Sequence, residues 1–175
     1  VNEEADYYSD NIREIGDKIY FDFHTSTEEF DDFVWEIPGI HNVENATAAI
    51  ALLNNFGVDF ETLKKGIASF KGIKRRYTKH NFDSGKIYID DYAHHPTELN
   101  AVIGSIKTFY PNQKLLVVFQ PHLFSRTKDF ADGFAESLDK ADELILLDIY
   151  PARELQENFE GITSDWLLEK ITLEK

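Results

Sequence analysis

Cysteine and methionine are both absent from this 175-residue sequence. Without thiols there is no disulfide scaffold, no thiolate metal site and no cysteine nucleophile. No apolar run approaches the roughly 18 residues that a membrane-crossing helix needs. Runs such as residues 115–119 and 144–147 have the length of strands, so no membrane insertion is expected. The N-terminus lacks the basic-then-apolar pattern of a signal segment, and a cytoplasmic location is the expectation. Positive charge is scarce as well: 18 Lys and Arg face 32 Asp and Glu, for a net charge of −14. Residues 1–36 carry 12 acids against Arg13 and Lys18, a surface that repels a nucleic-acid backbone, so no nucleic-acid partner is expected. Neither of the glycine patterns that cradle phosphates, G-x-x-x-x-G-K-[ST] and G-x-G-x-x-G, occurs. The chain can complete a nucleotide site but does not build the phosphate-and-metal half of one. Average usage would supply roughly three or four methionines, and the sequence opens on Val1. Together these lead us to expect a segment of a longer protein.

What is present describes a folded chain. Hydrophobic residues make up 42% and aromatics 14%, enough for a core. Ile19, Phe21 and Phe23 alternate with Tyr20 and Asp22, and Phe33, Trp35 and Ile37 with Val34 and Glu36. Period two predicts two antiparallel strands joined by residues 25–32, with Pro38-Gly39 ending the second. Residues 43–56 then take helical spacing, and Gly57 suits the C-terminal cap. Asp59 reads as the N-cap of a second helix to about Phe70.

From Arg75 the chain alternates strand and helix. Strands are expected at 77–82 and 86–90, turning over Asp83-Ser84-Gly85. A helix follows from Pro96, whose fixed φ suits a first helical position, to about Phe109. Beyond it a strand at 114–119, a helix at about 128–138, a strand at 143–149 and a helix near 164–171 are predicted. The continuous apolar runs imply strands buried on both faces of a parallel sheet. The expected class is α/β, with a domain boundary within residues 71–76. Lys71, Lys74, Arg75, Arg76 and Lys79 crowd there, an island suited to a small anion such as a nucleotide.

In open parallel sheets, ligands bind at the carboxyl ends of the strands. Three such ends carry polar loops: Asp90-Asp91-Tyr92-Ala93-His94-His95-Pro96, Gln120-Pro121-His122-Leu123-Phe124-Ser125-Arg126-Thr127, and Tyr150-Pro151-Ala152-Arg153-Glu154. An Asp at a strand end can accept both hydroxyls of a ribose. An Arg can clamp a carboxylate with two parallel bonds, and His can orient or relay protons around an amine. Each residue also has a plainer use: the aspartates as turn caps, the histidines as surface residues, Ser125 or Thr127 as an N-cap. Asn42 and Asn45, three apart, share a face of a helix's first turn, where an amide can read adenine or simply cap. A metal-dependent hydrolase using Asp90, Asp91, His94 and His95 as ligands, and a non-catalytic adenylate-binding module, are the rival readings.

The stretches His41-Asn42-x-x-Asn45, Gly72-x-x-x-Arg76-Tyr77, Asp90 through Glu98, Phe119-Gln120-Pro121-His122 with Ser125-Arg126-Thr127, and Tyr150 through Glu154 resemble the Mur ligase family. The first two motifs recur across that family, and the last three resemble the branch that joins L-alanine to UDP-N-acetylmuramate. The tripeptide-joining branch, murein peptide ligase, shares the double-histidine loop but departs in the Gln-Pro-His…Ser-Arg-Thr loop. The resemblance implies a fragment: residues 1–73 as the C-terminal strand-and-helix part of a central ATPase domain, and 74–175 as a Rossmann-like domain with a mostly parallel sheet, truncated at its C-terminus. It implies ATP activating the muramyl carboxylate as an acyl phosphate, which L-alanine attacks, in peptidoglycan precursor synthesis. It further implies that His41, Asn42 and Asn45 meet adenine, Arg76 the phosphates and Asp91 the ribose. Tyr92, His94, His122 and Arg126 would line the L-alanine site, with His94 as orienting group or proton relay. Many relatives have a second arginine where this chain has Leu123. Mg²⁺ is implied, with its ligands outside this segment, and the segment alone is expected to be inactive.

Overall fold

Alternating burial decides the first sheet. The computed structural model describes residues 5–16 and 18–173; Glu3, Glu4 and Asp17 of the acidic stretch lie outside them. The chain divides into two compact units, Val1–Asp91 and Tyr92–Lys175.

In the first unit β1 (Tyr8–Ile15), β2 (Lys18–His24) and β3 (Glu29–Trp35) form an antiparallel sheet in that order. Ile19 lies opposite Trp35, and Phe21 opposite Phe33. Ile19, Phe21, Phe23, Phe33 and Trp35 all point to the buried face, as period two requires. Phe21 and Phe33 stack at 5.5 Å, and Phe23 meets Phe33 edge-on at 6.0 Å. The helices α1 (Ile40–Asn55) and α2 (Phe60–Ser69) follow, burying Val43, Ala46, Ile50 and Leu63. Asp59 caps α2 as expected, accepting from the Thr62 N–H at 2.9 Å.

β1 was not foreseen. Its sequence carries little apolar alternation: the one side chain it buries, Ser9, is polar, and Asn11 and Arg13 turn to Asp22. Ser9 is buried and hydrogen-bonds Thr47 of α1 at 2.6 Å. Asn11, at φ 46°, donates to Asp22 at 2.5 Å, and Arg13 reaches both Asp22 and Asp32. Asp22 also accepts the Asp32 N–H at 2.8 Å. Burial pushes this carboxyl up, but the Asp32 N–H, the Asn11 amide and Arg13 outweigh it and hold the group below its usual range. A hairpin, β4 (Thr78–Asn81) with β5 (Ile87–Asp90), completes the unit. Its turn closes on Gly85, whose φ of 78° a side chain would strain.

The second unit is built on β6 (Leu116–Phe119) and β7 (Glu143–Leu146), paired in parallel. Around them lie α3 (Pro96–Phe109), α4 (Phe124–Asp129), α5 (Ala131–Leu138) and α6 (Ser164–Leu168). Leu99, Phe119, Ala131, Phe134, Ala135, Leu138, Leu167 and Ile171 form its core. α5 packs closely on the start of α3: a Cβ at Gly133 would lie 3.0 Å from Pro96, and Ser137 donates to the Pro96 carbonyl.

Three expectations are corrected here. The helix expected over 128–138 is two helices, α4 and α5, broken at Phe130 with φ −115°. The fold is mixed α/β, but among the described residues the sheets are small and mostly antiparallel, with parallel pairing confined to β6 and β7. The β-α-β order suggested a larger parallel sheet, whereas the Asp83-Ser84-Gly85 turn pairs β5 with β4 locally. Finally, the apolar runs are not buried on both faces: Val117, Phe119, Leu144 and Leu146 meet the core, while Leu116, Val118, Ile145 and Leu147 are each 42–59% exposed.

Candidate functional site

The sequence-predicted residues fall into both units. In the first, His41, Asn42 and Asn45 open α1. His41 and Asn45 are exposed, and Asn42 is half-buried with its amide donating to the Pro38 carbonyl at 2.6 Å. That bond supports the Pro38-Gly39 corner, so Asn42 serves the backbone with one end of its side chain. Arg76 is exposed in a tight turn where Arg75 and Tyr77 have φ 61° and 53°. The Asp91 carboxylate accepts the Tyr77 N–H at 2.8 Å. This single bond fixes the end of β5 to the backbone beside Arg76, bringing two of the predicted nucleotide contacts together. Arg75 lies 3.8 Å from Asp90.

In the second unit the side chains engage one another. β6 and β7 are continued by a parallel bridge between His122 and Tyr150. The Tyr150 N–H donates to the Pro121 carbonyl at 2.8 Å and the Leu123 N–H to the Tyr150 carbonyl at 2.9 Å. This pairing sets the His122 ring on the Tyr150 ring, 5.5 Å between centres and 24° apart. One helical turn on, Arg126 brings Nη1 to 3.4 Å from His122 Nδ1. Burial, then the positive charge of Arg126, then nearby His94, push the His122 pKa down. The ring is therefore neutral near pH 7. Its Nδ1 accepts from the guanidinium, and Nε2 carries the proton.

His94 is held the opposite way. Its Nδ1 is 2.9 Å from the Tyr92 carbonyl and 3.3 Å from Glu98, both acceptors, so Nδ1 holds a proton, and a lone pair on Nε2 belongs to the neutral ring alone. Glu98 also accepts the His94 N–H at 2.9 Å. Tyr92 is half-exposed, with its ring 5.1 Å from that of His94. His95 stands apart: its Nδ1 accepts the Thr97 N–H as the N-cap of α3, and its ring packs edge-on to Phe130. Leu123, where a second arginine would sit, has φ 72° and ψ 132°.

Two functional neighbours were quoted in the motifs without a role, Glu98 and Glu154. Glu98 sits four residues beyond His94, a helical-turn spacing that could have signalled the pairing. Glu154 binds Ser125 across 29 residues, and no local pattern announces it. The metal-hydrolase reading needs Asp90, Asp91, His94 and His95 gathered about one point. Among the described residues no group of three or more His, Asp or Glu is gathered as a metal-ligand set. The Mg²⁺ that the resemblance implies therefore has no fitting ligand set there. No helix among the described residues is long and apolar enough to cross a membrane.

The family model described as "Mur ligase, glutamate ligase domain" matches residues 75–174. The UDP-N-acetylmuramate–L-alanine ligase of Flavobacterium psychrophilum is 51% identical over 171 residues, 98% of this chain and 38% of that protein. The chain thus spans 38% of the length of this curated relative. Among solved structures, the UDP-N-acetylmuramate-alanine ligase of Thermotoga maritima matches 97% of this chain and 35% of its own, with a TM-score of 0.78 at 24% identity, a likeness of fold. A murein peptide ligase from Psychrobacter arcticus matches 83% of this chain and 31% of its own, with a TM-score of 0.57 and 27% identity. With the family's domain matched over more than half of its residues, the chain belongs to the Mur ligase family.

Proposed function

We propose that this chain is the part of a UDP-N-acetylmuramate–L-alanine ligase that receives the amino acid and completes the nucleotide site. The observation that carries this reading is that two histidines of the second unit turn Nδ1 to opposite kinds of partner, His122 to a guanidinium donor and His94 to two acceptors. A zwitterion needs donors at its carboxylate and an acceptor at its ammonium. Arg126 supplies a charged donor fork and His122 a neutral Nε2–H beside it. With Nδ1 taken by the Tyr92 carbonyl, the neutral His94 ring would use Nε2 to orient the ammonium and take its proton as the amine becomes nucleophilic. Tyr92 would cover the small side chain. His41, Asn42 and Asn45 would meet adenine, Arg76 the phosphates and Asp91 the ribose of ATP. The other substrate is UDP-N-acetylmuramate, whose carboxylate ATP converts to an acyl phosphate.

Positioning and charge are what such a transfer demands of a protein. An acyl phosphate that water would destroy has to be shielded from solvent during the transfer. The boundary in this reading is 73/74, supported by the family match beginning at residue 75, and the location is cytoplasmic. The test is steady-state kinetics on the full-length ligase. Arg126→Ala raises KM for L-alanine at least about tenfold, with KM for ATP within about twofold. An unchanged alanine KM removes the clamp, and ligation that requires a tripeptide in place of L-alanine assigns the chain to the murein peptide ligase branch. The 175-residue chain alone shows no alanine-dependent ATP turnover.

A further inference from the structure

Beyond the residues that meet the amino acid, we propose that Glu154 is a positioning residue, a cap supplied from the loop after β7 that holds the Arg126 helix in place and keeps its own carboxylate bonded to Ser125. The proposal rests on the reading of these loops as the amino-acid site.

The helix α4 has no cap of its own. Leu123 stands at the capping position with φ 72°, and an apolar side chain cannot accept from the first N–H groups. The acceptor comes from 29 residues further along: Glu154 takes the Ser125 N–H on Oε2 at 3.0 Å and the Ser125 hydroxyl on Oε1 at 2.5 Å. Those bonds, the hydroxyl's foremost, hold the carboxyl below its usual range. The backbone bonds of Tyr150 to Pro121 and of Leu123 to Tyr150 stitch the same two loops together. Glu154 adds a side-chain clip at the residue directly before Arg126.

This clip has two effects. It fixes the first turn of α4, and with it the 3.4 Å approach of Arg126 to His122. It also engages both carboxylate oxygens with Ser125. A carboxylate released in this loop could pair with Arg126 and compete with the carboxylate of the incoming amino acid. Glu154 therefore selects for the ligand by being occupied elsewhere.

Glutamine separates the two effects from mere folding. Its oxygen can accept the Ser125 N–H and its NH₂ can donate to the Ser125 hydroxyl, so it keeps the cap and carries no charge. The experiment uses the full-length ligase with Glu154→Ala and Glu154→Gln, read by hydrogen exchange without substrate and by kinetics. In Glu154→Ala, exchange at the Ser125 amide speeds up about tenfold. KM for L-alanine rises about tenfold, while KM for ATP stays within about twofold. Glu154→Gln restores both readouts to within about threefold. Unchanged exchange in Glu154→Ala overturns the cap. Faster exchange with an unchanged alanine KM, or equal rises in both KM values, overturns the positioning role. If the wild-type enzyme shows no dependence on L-alanine, the underlying site reading fails and the positioning role falls with it. The exchange data, which need no substrate, still report separately on the cap.

Discussion

The two units solve different problems with different materials. In the first, an aromatic face is covered by α1 and α2, and the opposite side of the sheet is organised by one buried carboxylate, Asp22, bonded to Asn11, Arg13 and the Asp32 backbone. Its predicted ligand residues are exposed or bonded to backbone. In the second, the core cluster is apolar, buried Thr127 and Ser137 bond to backbone carbonyls, and other polar side chains gather in loops where they bond to one another: His122 with Arg126, His94 with Glu98, Ser125 with Glu154. Side chains already fixed by their neighbours lose little freedom when a ligand arrives. The loops of the second unit are thus organised before any ligand arrives, whereas the candidate residues of the first stand as separate contacts.

Each unit carries one tryptophan, Trp35 in the first and Trp166 in the second, so the comparison can be tested by fluorescence. Phe134→Ala, which empties the centre of the second core, costs about 3–5 kcal/mol in urea unfolding followed by Trp166. The Trp35 transition stays in place; a matching shift of both would show that the units unfold as one. Asp22→Ala costs about 2–3 kcal/mol in the Trp35 transition, because Asn11, Arg13 and the Asp32 N–H lose their acceptor. A loss under about 0.5 kcal/mol would mean that the aromatic face alone holds the sheet.

The smallest effect concerns acid. The His122 pKa is lowered on folding, so its contribution to stability is present above the ordinary value of 6.5 and is lost as pH falls through the folded value. Asp22 is lowered from 3.8, so its contribution persists to much lower pH before protonation removes it. Acidification from pH 7 to 5 should therefore weaken the second unit slightly, an effect abolished by His122→Gln, while Asp22 continues to support the first. Equal sensitivity in that range, or persistence in the His122 variant, would break the distinction.

Much of this was legible in the sequence wherever the deciding interaction is local. The β2–β3 alternation, the Asp59 cap, the Gly85 turn and Pro96 at the start of α3 each depend on residues a few positions apart. β1 was not legible because its buried side chain, Ser9, is polar and its other anchors, Thr47 and Asp22, lie elsewhere in the chain. The break at Phe130 hides inside a continuous helical pattern. Apolar runs announce strands but do not say how many faces are covered, as Leu116, Val118, Ile145 and Leu147 demonstrate. The loops that form the candidate site were marked by residue type, yet their tautomers and the Glu154 clip depend on partners that only folding supplies.

The backbone at Leu123 has a consequence for substitution. With φ 72° and ψ 132°, this position penalises every L side chain, and branching at Cβ makes the penalty worse. A saturation library here should be lopsided: glycine admitted freely, valine, isoleucine and threonine purged. Any arginine installed to recreate the two-cation arrangement would inherit the same contorted hinge, so leucine's presence leaves the geometric burden of the corner unchanged and alters only what projects from it.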